Sequence, residues 1–151
     1  MKEYNFKGTN GDIKMFIGVD PLSLEDSNGS LVIPFYGDKF VMTYHIKRRG
    51  WEFPSGKRES KETILECAKR ETYEEIGGIL SDIMPLGYYT VDKEKGPFKT
   101  AIYVATVDKF EPKPRNSETD LVKLFDELPK NVTYADDVYK LVLENIKNKS
   151  I

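Results

Sequence analysis

Apolar positions along this chain change period several times. Residues 30–36 are apolar through Leu31, Val32, Ile33 and Phe35, and residues 39–45 carry Phe40, Val41 and Met42. Gly37 and Asp38 lie between them, so the two runs predict a β-hairpin, and the N-terminal third as a whole reads as strands. Residues 46–61 are polar and hold Gly50, Pro54 and Gly56, which predicts mostly loop. From 62 to 76 the period becomes helical. Ile64, Leu65, Ala68, Thr72 and Ile76 share one side, and Gly77 and Gly78 supply a stop. Two further strands are expected at 83–91 and 98–107, with a turn at 92–97. Residues 108–120 read as loop, and 121–125 as a short apolar piece. A closing helix is expected over 133–147. Thr133 would be its N-cap, Asp136 and Asp137 would fill its first turn, and Val138, Leu141, Val142 and Ile146 would form its stripe. Strands, helix, strands, helix predicts an α/β chain with a mixed sheet and helices packed on it.

A length of 151 residues suits one domain over 1–151. Such a chain buries roughly 70% of its unfolded surface, enough for a core without staples. The hydrophobic share is 39% and the charged share 32%, as in ordinary globular proteins. Cys67 is the only cysteine, so no internal disulfide forms, and its place in the helical pattern makes it a packing residue. No apolar run approaches the ~20 residues of a membrane span, and residues 1–6 lack a signal-peptide core. A cytoplasmic protein is expected, with no membrane contact and no obligate protein partner evident. Net charge is −2 and the pI near 5.6. That balance does not mark a binder of duplex DNA, though it leaves room for a small polyanion held by local charge or metal.

The chemistry concentrates in residues 56–77. With Glu71 at zero on a helical wheel, Glu74 lies at about 300° and Glu75 at about 40°, so the three share roughly 100° of arc. Like charges at this spacing repel, and a divalent cation relieves the repulsion. Hard ions such as magnesium take carboxylate and phosphate oxygens together. The bland alternative is a solvated face paired with Lys61, Lys69 and Arg70.

Spacing decides between them. The stretch runs Gly56, five residues, Glu62, seven residues, Arg70, Glu71, Thr72, one residue, Glu74, Glu75, one residue, Gly77. It resembles the Nudix box, with every charged and glycine position filled. Thr72 and Gly78 depart from the aliphatic positions of that pattern and touch no metal ligand. The preceding Trp51, Glu52, Phe53, Pro54, Ser55 and Gly56 resemble the approach to the box in MutT-type members, which clear oxidised nucleoside triphosphates. Ser55 stands where they carry a glycine. Glu118 and Thr119, followed by residues 124–129, resemble a later segment of Bacillus-type members. The resemblance covers roughly residues 30–147.

The resemblance implies a Nudix-type mixed β-sheet sandwiched between helices. It implies that Glu71, Glu74, Glu75 and Glu118 are catalytic carboxylates holding Mg2+, with Mn2+ as an alternative. One of them would activate water, and the Ser55 carbonyl would add a metal contact. Gly56, Glu62, Arg70 and Gly77 would be structural, with Glu62 and Arg70 paired. The implied reaction is hydrolysis of a nucleoside triphosphate, 8-oxo-dGTP first, to monophosphate and pyrophosphate. Alternative substrates are the triphosphorylated 5′ end of RNA and other nucleoside diphosphate derivatives. A non-catalytic nucleotide-binding module is the alternative of a different class. His45, Arg48 and Arg49 are candidates for phosphate contact, against a bland reading of His45 as an exposed strand end. Asn131 is a candidate for reading a base. Phe35, Tyr88 and Tyr103 could stack on one, although packing is the simpler expectation for each.

Overall fold

The computed structural model describes residues 1–112, 119–134 and 137–149. Its strands are β1 (Lys2–Gly8), β2 (Gly11–Ile17), β3 (Gly29–Tyr36), β4 (Lys39–His45), β5 (Gly50–Glu52), β6 (Ser55–Lys57), β7 (Gly78–Val91), β8 (Phe98–Phe110) and β9 (Thr119–Phe125). Helices α1 (Ile64–Ile76) and α2 (Val138–Lys149) complete the described elements, with a 3-10 turn at Pro21–Leu24. The strands form one sheet ordered β1-β2-β7-β8-β3-β4-β5, and β6 and β9 attach to β3 and β4. Among the ladders between the described strands the β3–β8 ladder alone is parallel, so the sheet is mixed.

Strand β3 shows why its sequence is almost continuously apolar. Leu31 and Ile33 pack on one face with Ile102, Val138 and Val142. Val32 points the other way and packs with Ile64, Cys67, Ala68 and Tyr103. A strand covered by a helix on each side needs apolar residues at every position. The sheet therefore lies between α1 and α2.

Several boundaries differ from the sequence reading. The expected loop at 46–61 contains β5 and β6. Strand β7 starts at Gly78 rather than 83, and its pairing with β8 shifts register at Ile79/Leu80, Leu80/Asp82 and Pro85/Gly87. Those irregularities break the alternation that would have revealed it. Leu65 is exposed and Cys67 takes a buried place on α1. Thr133 does not cap α2. Its amide donates to the Trp51 carbonyl at 3.2 Å, and Val132 bridges Trp51, so residues 131–133 run extended beside β5. The Asp137 carbonyl accepts the Leu141 amide at 2.9 Å, which puts the helix start there. Asp136 lies outside the described residues.

Candidate active site

Helix α1 begins with a reciprocal cap. The Glu66 amide donates to Thr63 Oγ1 at 3.0 Å, and the Thr63 amide to Glu66 Oε1 at 2.8 Å. Glu66 is thereby spent on the helix start. Gly77 closes the other end at φ 69°, a left-handed conformation that glycine adopts freely. Between these caps the helix presents Arg70, Glu71, Glu74 and Glu75 toward β6.

Arg70 organises the acids. Its Nε lies 2.6 Å from Glu62 Oε2, and its Nη2 donates to Glu62 Oε1 at 3.0 Å and to the Lys57 carbonyl at 3.1 Å. Its Nη1 donates to Glu71 at 2.7 Å and Glu74 at 3.2 Å. Glu59 stands 3.2 Å from Nε. This fork holds the Glu62 carboxyl at about 2, well below its usual range, and raises the Arg70 pKa in return.

The Glu71 and Glu75 carboxyls stand near enough for each to shift the other's titration. Burial raises the Glu71 pKa against the pull of Arg70. Glu75 is raised much further, by burial and then by the charges of Glu71 and Glu52. The Ser55 amide donates to Glu75 Oε2 at 2.9 Å. Gly56 sits directly on Glu71: a Cβ built there would fall onto the Glu71 carboxylate. A side chain at 56 would have to push that carboxylate from its place beside Arg70.

These groups border a cleft of about 470 Å³. The cleft is also lined by His45, Arg48, Glu52 and Lys57. His45 is buried, not exposed, and its Nδ1 accepts the Arg48 amide at 3.2 Å. Arg48 Nη1 contacts both oxygens of buried Glu52, at 2.9 and 3.2 Å, and its guanidinium lies 5.8 Å from the Tyr134 ring centre. Arg49 and Asn131 are not among the lining residues. Arg49 takes a left-handed turn, φ 54°, and the Asn131 carbonyl accepts the Trp51 amide at 2.9 Å. Glu118 lies outside the described residues.

Phe35, Tyr88 and Tyr103 pack elsewhere. Phe35 meets Phe40, Tyr88 meets Phe16, and Tyr103 is buried beneath α1. The aromatic residues that do line the cleft, Tyr89, Phe98, Tyr134 and Tyr139, were missed. Adjacent strand residues face opposite sides, so Tyr89 rather than Tyr88 looks into the cleft. Thr9, Asn10 and Lys93 at the rim carried no motif that would have marked them.

Glu71, Glu74 and Glu75 offer the hard oxygen donors that Mg2+ requires, and the repulsion between half-buried Glu71 and Glu75 is what such an ion would neutralise. The donor chemistry therefore fits a divalent cation. Among the described residues no three acidic, histidine or cysteine side chains form a ready-made cage; Arg70 holds oxygens of Glu71 and Glu74 instead.

Comparison with known proteins agrees with this geometry. The family model described as NUDIX domain matches residues 28–140. A Bacillus subtilis (strain 168) protein named "Putative 8-oxo-dGTP diphosphatase YtkD" is 42% identical over 103 residues, covering 68% of this chain and 64% of that relative's length. The Bacillus subtilis pyrophosphohydrolase BsRppH, solved as a mutant, superposes with a TM-score of 0.83 at 31% identity, covering 97% of this chain and 98% of that one. The NUDIX domain of Shewanella oneidensis NrtR, complexed with ADP ribose, shares the fold at TM-score 0.62 and 15% identity, over 88% of this chain and 95% of that one. A carboxylate helix with this spacing, docked by Gly56 and Arg70 against a cleft, is thus accompanied by a family match over most of the sequence, and the chain belongs to the Nudix family.

Proposed function

We propose that this chain is a divalent-metal-dependent pyrophosphohydrolase that converts a nucleoside triphosphate to its monophosphate and pyrophosphate. The observation that carries the reading is the half-buried pair of acids Glu71 and Glu75 at the wall of a large cleft, each opposing the other's charge. Arg70 and the Ser55 amide offset part of the cost of keeping these carboxyls together, and a bound cation would relieve the remainder. Glu71, Glu74 and Glu75, with the Ser55 carbonyl and Glu118, would hold Mg2+ or Mn2+. When bound, such an ion neutralises phosphate charge and lowers the pKa of water.

The chain's own residues supply the rest. Arg48 and Lys57 face the phosphates. A carboxylate of the cluster takes the proton of the attacking water as the new bond to the α-phosphorus forms. The bond from that phosphorus to the bridging oxygen breaks, and pyrophosphate leaves. Arg70 and Glu62 keep the helix in place and touch no substrate. An oxidised guanine nucleotide is the first substrate to try, because the relative aligned over 68% of this chain carries that name. The second reading is the triphosphorylated 5′ end of RNA. It is favoured by the exposed rim at Thr9, Asn10 and Lys93, which leaves room for a chain to continue. Among the described residues no helix is long and apolar enough to cross a membrane; a cytoplasmic setting is part of the proposal.

The test is a product analysis with Mg2+ and a panel: 8-oxo-dGTP, normal dNTPs, ADP-ribose, a dinucleoside polyphosphate and triphosphorylated RNA. Monophosphate and pyrophosphate, released only with metal and fastest from 8-oxo-dGTP, support the first reading. A dominant rate on RNA supports the second. Binding without turnover of any substrate, with Mn2+ also tried, overturns the enzyme reading in favour of a binding module.

A further inference from the structure

The turn between β4 and β5 sets an arginine against a buried acid. Glu52 sits on a firmly held strand. Its backbone pairs with Thr43, the Trp51 amide beside it donates to the Asn131 carbonyl at 2.9 Å, and Phe53 on its other side is fully buried. The Glu52 side chain is 2% exposed, whereas that of its partner Arg48 is 45% exposed. Both border the cleft.

The pair is lopsided, and the asymmetry is informative. A buried carboxylate is costly unless it is paired and hydrogen-bonded. Arg48 Nη1 meets that need, lying 2.9 and 3.2 Å from the two Glu52 oxygens. The cost is greater here because Glu52 stands close enough to Glu75 for its charge to oppose ionisation of that acid. Buried ion pairs that only brace a fold are often no better than apolar groups of similar size. Here the acid lies inside and the cation lies toward the cleft, so the guanidinium is the end presented to an incoming anion.

Arg48 is held at two further points. Its amide donates to His45 Nδ1 at 3.2 Å, and its guanidinium carbon lies 5.8 Å from the Tyr134 ring centre. An arginine on a turn carries rotamer freedom that it loses when it binds, and fixing it beforehand lowers that cost. We propose that Glu52 is a positioning residue that holds the Arg48 guanidinium ready for the polyphosphate, an inference that rests on the nucleotide reading above. Glu52 touches no substrate and acts through Arg48.

The experiment is a double-mutant cycle read as KM and kcat on a nucleoside triphosphate with Mg2+. KM, unlike rate per total protein, does not depend on the folded fraction. Glu52→Gln is expected to raise KM about tenfold and to change kcat less than about threefold. Arg48→Ala should raise KM at least as far. The double variant should match Arg48→Ala within about twofold, because Glu52 then has nothing left to position. Glu52→Asp keeps the charge and should recover part of the affinity lost in Glu52→Gln. A parent KM in Glu52→Gln, losses that multiply in the double variant, or a fall in kcat with KM unmoved each overturns the proposal. If Glu52→Gln does not fold, Glu52→Asp carries the test: drawing the carboxylate back by one methylene should raise KM about threefold, and a parent KM overturns the role. If the unaltered protein hydrolyses no nucleotide, the hydrolase reading falls by itself. Calorimetric binding of inorganic tripolyphosphate then decides. Weaker binding in Glu52→Gln, with the double variant no weaker than Arg48→Ala, upholds the positioning role, and unchanged binding overturns it.

Discussion

The Ser55 amide donates to Glu75 Oε2 at 2.9 Å, joining the carboxylate helix to the strand that borders the cleft. Glu75 is thus a tie between two elements. Glu75→Gln keeps an acceptor for Ser55 but removes a charge that burial opposes. Turnover should fall by about 10²–10⁴-fold, while Tm without metal stays level or rises. Steady-state rates and a melting curve check both, and a variant within a few-fold of the parent rate would remove Glu75 from the chemistry.

Mg2+ should raise the Tm of the parent chain, because a cation bound to the Glu71–Glu75 pair stabilises only the folded state. The rise should shrink in Glu71→Gln. Scanning fluorimetry across a Mg2+ titration gives the answer, and an equal shift in both proteins would mean that the ion binds elsewhere.

Gly56→Ala places a methyl group on the Glu71 carboxylate. Overpacking of this kind costs about 1–3 kcal/mol, and the displaced carboxylate should take activity with it. Urea unfolding and kinetics together measure the two effects. A variant with parent stability and rate would show that the β6–α1 contact is softer than the distances imply.

Arg70→Gln leaves Glu62 and Glu71 without their shared counter-ion. Removing one partner of a largely buried pair is strongly destabilising. With Arg70 25% exposed, a loss of about 2 kcal/mol is expected. Arg70→Lys restores the charge without the fork and should recover only part of it. Both are read from denaturant midpoints.

Acid should weaken the same contact. The Glu62 pKa is lowered from 4.5 to about 2 by its hydrogen bonds to Arg70. A depressed carboxylate stabilises the fold fully above its unfolded pKa and loses that contribution as pH falls from about 4.5 toward 2. Denaturation midpoints over that range should fall less steeply in Glu62→Gln than in the parent.

Much of the carboxylate end was legible in the sequence because it is local. Glu71, Glu74 and Glu75 share one helix, and period alone puts them on one side. Gly56 and Arg70 followed from the family spacing. The cleft walls were less legible, since they are assembled by pairing between distant segments. Thr9 and Asn10 reach the rim only because β2 pairs with β7. Tyr88 and Tyr89 are equivalent in a sequence, and only the packing on each face of the sheet decides which one borders the cleft. His45 looked like an exposed strand end but is buried, because the β4–β5 turn folds the Arg48 amide back onto its ring. Asn131 was put forward by resemblance to a base-reading position and Arg49 by its charge, and neither borders the cleft.

The parallel β3–β8 ladder joins Gly29 to Thr100 and Phe35 to Thr106, and the whole carboxylate helix lies in the chain between those strands. Closing such a long loop carries an entropic cost that the assembled ladder alone repays. Helix α1, with its own caps at both ends, can form before the ladder does. A sample trapped short of the native state would therefore retain helical signal while its cleft stays open and inert. Catalytic rate per molecule is the stricter gauge of correct assembly, and a preparation judged by circular dichroism alone would overstate its native fraction.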